Sequence, residues 1–125
     1  GFVPEDVRAG RARLAEQLAP WRLDDPILLP LPGGELAAPD LRVVTERGEV
    51  HVELFHRWHH RPLARRLEQL AAQRLPLVLG VDRALAKREA TAPLLAGAVF
   101  QRHGFLFSDV PVARALREAV ARVSA

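Results

Sequence analysis

The chain has 125 residues, 49% of them hydrophobic, with a formal net charge of +3, an isoelectric point near 10.9 and no cysteine. A chain this long encloses one hydrophobic core and not two, so a single domain over residues 1–125 is expected. Without cysteine, disulfides and thiolate metal sites are excluded. Any metal must then sit on carboxylates, imidazoles and main-chain oxygens, a donor set suited to a hard cation such as Mg2+ or Mn2+. No apolar run approaches the ~20 residues of a membrane-spanning helix, and the N-terminus lacks the basic-then-apolar layout of a signal peptide. We therefore expect no membrane partner and a cytoplasmic location. Because the chain opens on Gly1 and contains no methionine, a fragment of a longer protein is also expected. The basic balance permits nucleic-acid binding without demanding it.

In chain order, Val7, Leu14, Ala15 and Leu18 recur at helical spacing after Pro4, which suits a first helical turn, and predict a helix over 5–18. Ile27, Leu28, Leu29 and Leu31 lie among prolines and run into Gly33-Gly34, the pattern of a short extended segment and a turn. Pro30 confines it to an edge. Leu41-Arg42-Val43-Val44, a polar turn at Glu46-Arg47-Gly48 and the run from Glu49 to Phe55 predict a hairpin with alternating faces. On its second strand His51, Glu53 and Phe55 share one face, while Val50, Val52 and Leu54 share the other.

After Pro62 a helix is expected, with Leu63, Leu67, Leu70 and Ala71 on one face and Arg61, Arg65, Arg66, Glu68 and Arg74 largely on the other. Leu77-Val78-Leu79-Gly80-Val81 is continuously apolar, as in a strand buried on both faces. Strand, helix and strand make a βαβ crossover, so the two strands should be parallel. Thr91 to Arg102 predicts a helix, Phe105-Leu106-Phe107 a short strand, and Val112 to Val123 a final helix after Asp109.

Pro39-Asp40 opens the first hairpin strand and Glu53 stands late in the second. Carboxylates so placed can converge on one divalent cation, which polarises a phosphodiester and generates a hydroxide nucleophile. This is the outline of a PD-(D/E)XK nuclease motif, in which the main chain of Leu54 would add a third metal ligand. His51 shares the Glu53 face and could bond a substrate phosphate or a metal-bound water. His56, His59 and His60 follow closely, as either a metal-binding group or a polar loop. Arg61 and Arg65, with Trp58 beside them, could contact a DNA backbone or form a solvated helix face.

From Trp21 to Leu70 the chain resembles the C-terminal nuclease domain of the XPB-associated nuclease family, the partners of XPB-type helicases. The resemblance rests on Trp21-Arg22-Leu23, Leu29-Pro30-Leu31 with its glycines, Pro39-Asp40-Leu41-Arg42, and Val52-Glu53-Leu54 with Trp58. It continues through the run from Leu63 to Leu70 and through Leu77-Val78-Leu79-Gly80-Val81-Asp82, and returns around Phe105-Leu106-Phe107 and Val110-Pro111-Val112. It implies a restriction-endonuclease-like α/β fold, a central mixed β-sheet flanked by helices. It further implies a magnesium-type cofactor and cleavage of branched or bubble-like DNA beside a helicase. Two positions depart from the wider superfamily. Phe55 stands where a lysine would follow the motif glutamate, making Arg66 the candidate for a migrated cation; and a helix-one glutamate is represented only by the early Glu5, with Arg11 nearer the aligned position. A catalytically lapsed domain that binds DNA or docks a helicase is the alternative.

Overall fold

The computed structural model describes the backbone of residues 5–124, with side chains from residue 9 onward. The side chains of Glu5 and Val7, and Pro4 altogether, lie outside the described residues. Among the described residues, seven strands and six helices follow in the order α1 (Glu5–Leu18), β1 (Arg22–Asp24), β2 (Leu29–Pro30), β3 (Leu36–Ala37), β4 (Leu41–Thr45), β5 (Gly48–Phe55), α2 (His60–Ala72), β6 (Leu77–Asp82), α3 (Arg83–Ala86), α4 (Ala92–Leu95), α5 (Ala98–His103), β7 (Gly104–Phe107) and α6 (Ala113–Ser124). A 3-10 turn at Pro32–Gly34 separates β2 from β3. No helix among the described residues is long and apolar enough to cross a membrane.

The main sheet has the order β1-β4-β5-β6-β7, and β2 with β3 forms a separate ribbon. Antiparallel pairing joins β1 to β4 and β4 to β5; parallel pairing joins β5 to β6 and β6 to β7. The sheet is therefore mixed, and β5 lies at its centre. The expected hairpin is present, with Thr45 paired to Gly48 across Glu46 and Arg47. Gly48 takes φ +123°, a backbone conformation that side chains rarely tolerate. The crossover through α2 gives the expected parallel pair, Glu53 lying against Leu79 in its register.

Period-two alternation on β5 splits the core into two layers. Val50 and Val52 join Leu14 and Leu18 of α1 and Leu116, Ala119 and Val120 of α6. On the opposite face Phe55 joins Leu63, Leu67 and Leu70 of α2, together with Leu29, Leu31 and Ala37 from the small ribbon. β6 is buried on both sides: Leu77, Leu79 and Val81 face the α2 layer and Val78 the α1–α6 layer. Sequestering each such leucine contributes about 1.5–3 kcal/mol, so helix packing rather than propensity seats α2. Gly80 permits close packing here, because a Cβ would come within 2.7 Å of Phe105 and 2.8 Å of Leu54.

Among the local expectations, one short segment is borne out and two helices are corrected. The short extended segment expected before Gly33-Gly34 is present as β2 in the separate ribbon and runs into a turn, with Ile27 and Leu28 exposed ahead of it. The helix expected after Pro62 begins at His60, because proline is tolerated within a first turn, where its missing N–H costs nothing. The helix expected from Thr91 to Arg102 is broken at Ala96-Gly97 into α4 and α5, Gly97 adopting an extended conformation before α5. Finally, β1 and α3 form where no periodic pattern is long enough to announce them.

Candidate functional site

Strand direction gathers the candidate residues at one rim of the sheet. β4 runs antiparallel to β5, so its first residues lie beside the last residues of β5. β6 and β7 run parallel to β5 and end at the same rim. Asp40, Glu53, the loop from His56 to His59, the start of α3 and the turn after Phe107 therefore share one edge, the carboxyl ends of parallel strands where open α/β sheets bind ligands.

Asp40 immediately precedes Leu41, which pairs with Val52, the residue before Glu53. Asp40 donates its main-chain N–H to the Val52 carbonyl at 2.8 Å, and its Oδ2 accepts the Leu54 N–H at 2.7 Å. Its side chain thus completes the ladder where β4 begins, and the residue remains exposed. Buried Pro39 fixes the approach of the chain to this position.

Glu53 has a different surrounding. Arg66 donates to it through Nε at 2.7 Å and Nη2 at 2.9 Å, a bidentate pair whose side chains are each only 13% exposed. The same guanidinium donates to Gln69 Oε1 at 2.6 Å, and the Gln69 amide donates to Glu35 at 3.0 Å. Arg65 closes the chain on Glu35 and, together with Gln69, holds the Glu35 carboxyl below the usual carboxylate range. Arg66, expected as a free cation for the reaction, is instead the partner of Glu53. Arg65, expected at a DNA backbone, already carries an ion pair. Arg61 is exposed and forms no ion pair among the described residues.

His51 is corrected outright. Alternation places it on the Glu53 face, but that face is covered by the α2 layer, and His51 is 4% exposed. Its Nδ1 has no hydrogen-bond partner, and burial pulls its titration below the usual imidazole range. An imidazole sealed in this way cannot reach a phosphate or a metal-bound water at the rim.

The remaining histidines order the loop rather than assembling a cation site. The His56 N–H donates to His59 Nδ1 at 2.9 Å, and the His60 ring shares a hydrogen bond of 2.8 Å with the buried Thr91 hydroxyl. Trp58 stacks on His56 with centroids 5.3 Å apart and planes 22° apart, yet stays 65% exposed. Arg88 ties the α3 segment to this loop by donating to the Arg57 carbonyl at 3.1 Å. Glu35, Gln69, Thr91 and Arg88 escape a reading of the sequence because their contacts here span about thirty residues and leave no local pattern.

Among the described residues, no group of three or more His, Cys, Asp or Glu is arranged to hold a metal ion. Magnesium commonly takes only one or two carboxylates from a protein and completes its octahedron with water and phosphate oxygens. Exposed Asp40 with the neighbouring main chain of Leu54 fits that demand. Glu53 can join only by surrendering a bond to Arg66. Beside Leu54, a cleft of about 380 Å3 is lined by Arg11, Arg13, Gln17, Leu41 and Asp109, so its α1 wall presents arginines. Arg11 is engaged by Asp25 at 3.1 Å. Compared with protein-family models and with curated proteins, the sequence matches none.

Proposed function

We propose that this domain is a restriction-endonuclease-like, metal-dependent DNA endonuclease that acts on branched or bubble-like DNA beside an XPB-type helicase. The observation that carries the reading is the position of Asp40, an exposed carboxylate locked at 2.7 Å onto the N–H of Leu54, the residue that follows Glu53. The element order of helix, three antiparallel strands, crossover helix and parallel strand, with β5 central, supports the fold assignment. In this reading Asp40 and the Leu54 carbonyl hold Mg2+ or Mn2+, with Glu53 as the second carboxylate. A divalent cation there supplies Lewis-acid polarisation of the phosphodiester and a water of lowered pKa. The chain's own residues fix its position: the Leu54 N–H orients Asp40, and Arg66 orients Glu53 and balances its charge. Arg61, Arg57 and Arg88 offer the rim's cations to the phosphate backbone. The test is cleavage of end-labelled branched DNA with manganese or magnesium against chelator, for wild type and Asp40→Asn.

A second reading, a catalytically lapsed domain of the same fold, is favoured by a specific observation. Both oxygens of Glu53 are held by Arg66, and the position for a reacting lysine is filled by Phe55, which is 2% exposed. Binding of branched DNA without cleavage in any divalent metal would select it.

A further inference from the structure

We propose that Trp58 is a stacking platform for an unpaired DNA base at the rim of the sheet. This deepens the reading of the domain as DNA-acting and rests on it. Large exposed aromatics are rare among the described residues: Trp58 is 65% exposed, whereas Phe55, Phe100, Phe105 and Phe107 are at most 6% exposed. An indole left open through local disorder would have no fixed neighbours, and this one has two. His56 stacks beneath it, with centroids 5.3 Å apart at 22°, and the His59 ring meets it at 5.3 Å and 62°. The two imidazoles are 5.7 Å apart, so both bunch on one flank of the indole and leave the rest of its surface open.

The supporting rings are anchored in turn. His59 packs edge-on against Phe55 at 6.2 Å, His56 meets Phe107 at 5.9 Å, and the His56 N–H is bonded to the His59 ring. The platform is therefore built on the ends of β5 and β7 through two core phenylalanines. A rigid aromatic face with arginines on its flanks is the combination by which single strands are held, the rings taking bases and the cations taking phosphates. Arg57 precedes Trp58, Arg61 follows one turn later, and Arg88 is tied to the Arg57 carbonyl. A paired base inside a duplex presents no free face to an indole. Trp58 accordingly selects unpaired bases, those at a branch, bubble or frayed end.

The experiment is a titration in chelator, where no cleavage occurs, with a short oligothymidylate and with a blunt duplex. It is read by tryptophan emission and by anisotropy of labelled DNA. Trp21, the other indole, is half-buried and held by Glu46 and the Arg117 guanidinium, and supplies a constant background. The expected result is quenching of wild-type emission by oligothymidylate. Affinity should fall about tenfold in Trp58→Ala and stay within about threefold of wild type in Trp58→Phe, since stacking needs an aromatic face of any kind. Duplex affinity should be the same in all three proteins. Oligothymidylate binding by Trp58→Ala equal to that of wild type, an equal loss on duplex, or no binding of oligothymidylate by wild type would each overturn the proposal. If Asp40-dependent cleavage is present while Trp58→Ala binds normally, the platform fails alone. If the platform is present and no metal supports cleavage, the nuclease reading fails alone.

Discussion

Beneath α2, charge is closed on itself. Glu53, Arg66, Gln69, Glu35 and Arg65 are joined end to end by hydrogen bonds, and the Glu53–Arg66 pair at their head is largely withdrawn from solvent. At the rim only a few residues away, Asp40 is exposed and Trp58 stands open above two histidines. Both regions grow from the same end of β5. Their difference shows that a carboxylate inside a strand, which burial alone would mark as functional, can be accounted for by an internal cation. In the proposed reading, the exposed carboxylate, whose side chain has one main-chain anchor, is the freer of the two to meet a cation.

The sharpest way to break this contrast is to remove the buried cation. Arg66→Leu strands a carboxylate out of water, and a loss of about 3–5 kcal/mol is expected in urea unfolding. Arg65→Leu, which removes an exposed partner of Glu35, should cost no more than about 1 kcal/mol. Equal losses would mean that the two ends of the network are not distinct.

Glu53→Gln should also destabilise the domain, by about 2 kcal/mol, since it replaces a charge-assisted bidentate acceptor with a neutral one. Two carboxylates crowding each other would give the opposite result, a rise in melting temperature on loss of one charge. Calorimetry in chelator decides between them.

A smaller effect is expected from acid. His51 and His103 are buried, and desolvation holds both titrations below the usual imidazole range in the folded state. The unfolded chain then binds more protons than the folded one below about pH 6.5, so stability is full above that pH and is lost as pH falls toward the folded values. Because the His51 Nδ1 has no partner, His51→Leu should keep or raise stability at neutral pH and flatten part of the acid slope. An unchanged slope between neutral pH and pH 5 would remove His51 from this role. His103 differs in that its ring is bonded to the Leu77 carbonyl at 2.8 Å, so its replacement should cost stability at every pH.

Much of the scaffold that positions these groups was legible in the sequence. Alternation from Val50 to Phe55, the turn at Gly48 and the leucine spacing from Leu63 to Leu70 are local patterns, and the hairpin, α2 and the parallel β6 follow from them. The three-residue β1 and the two-residue β2 and β3 are too short to show a period and exist through their partners. At the site, alternation put His51 and Glu53 on one face. Whether that face meets solvent depends on α2 and the ribbon β2–β3 closing over it, which is a tertiary outcome. Arg66 was recognisable as a cation near Glu53, one turn into the following helix. Its bidentate geometry, which makes it a partner instead of a free charge, required the strand and helix to be docked.

The most direct test compares wild type and Asp40→Asn on a branched DNA substrate in manganese, with each protein's urea unfolding measured alongside. An exposed residue whose amide replacement can still accept the Leu54 N–H should change stability by less than about 1 kcal/mol, and the expected result is loss of metal-dependent cleavage by at least about a hundredfold with the fold intact. Full cleavage by Asp40→Asn, or no cleavage by wild type in any divalent metal, would contradict the assignment of this rim as a nuclease centre.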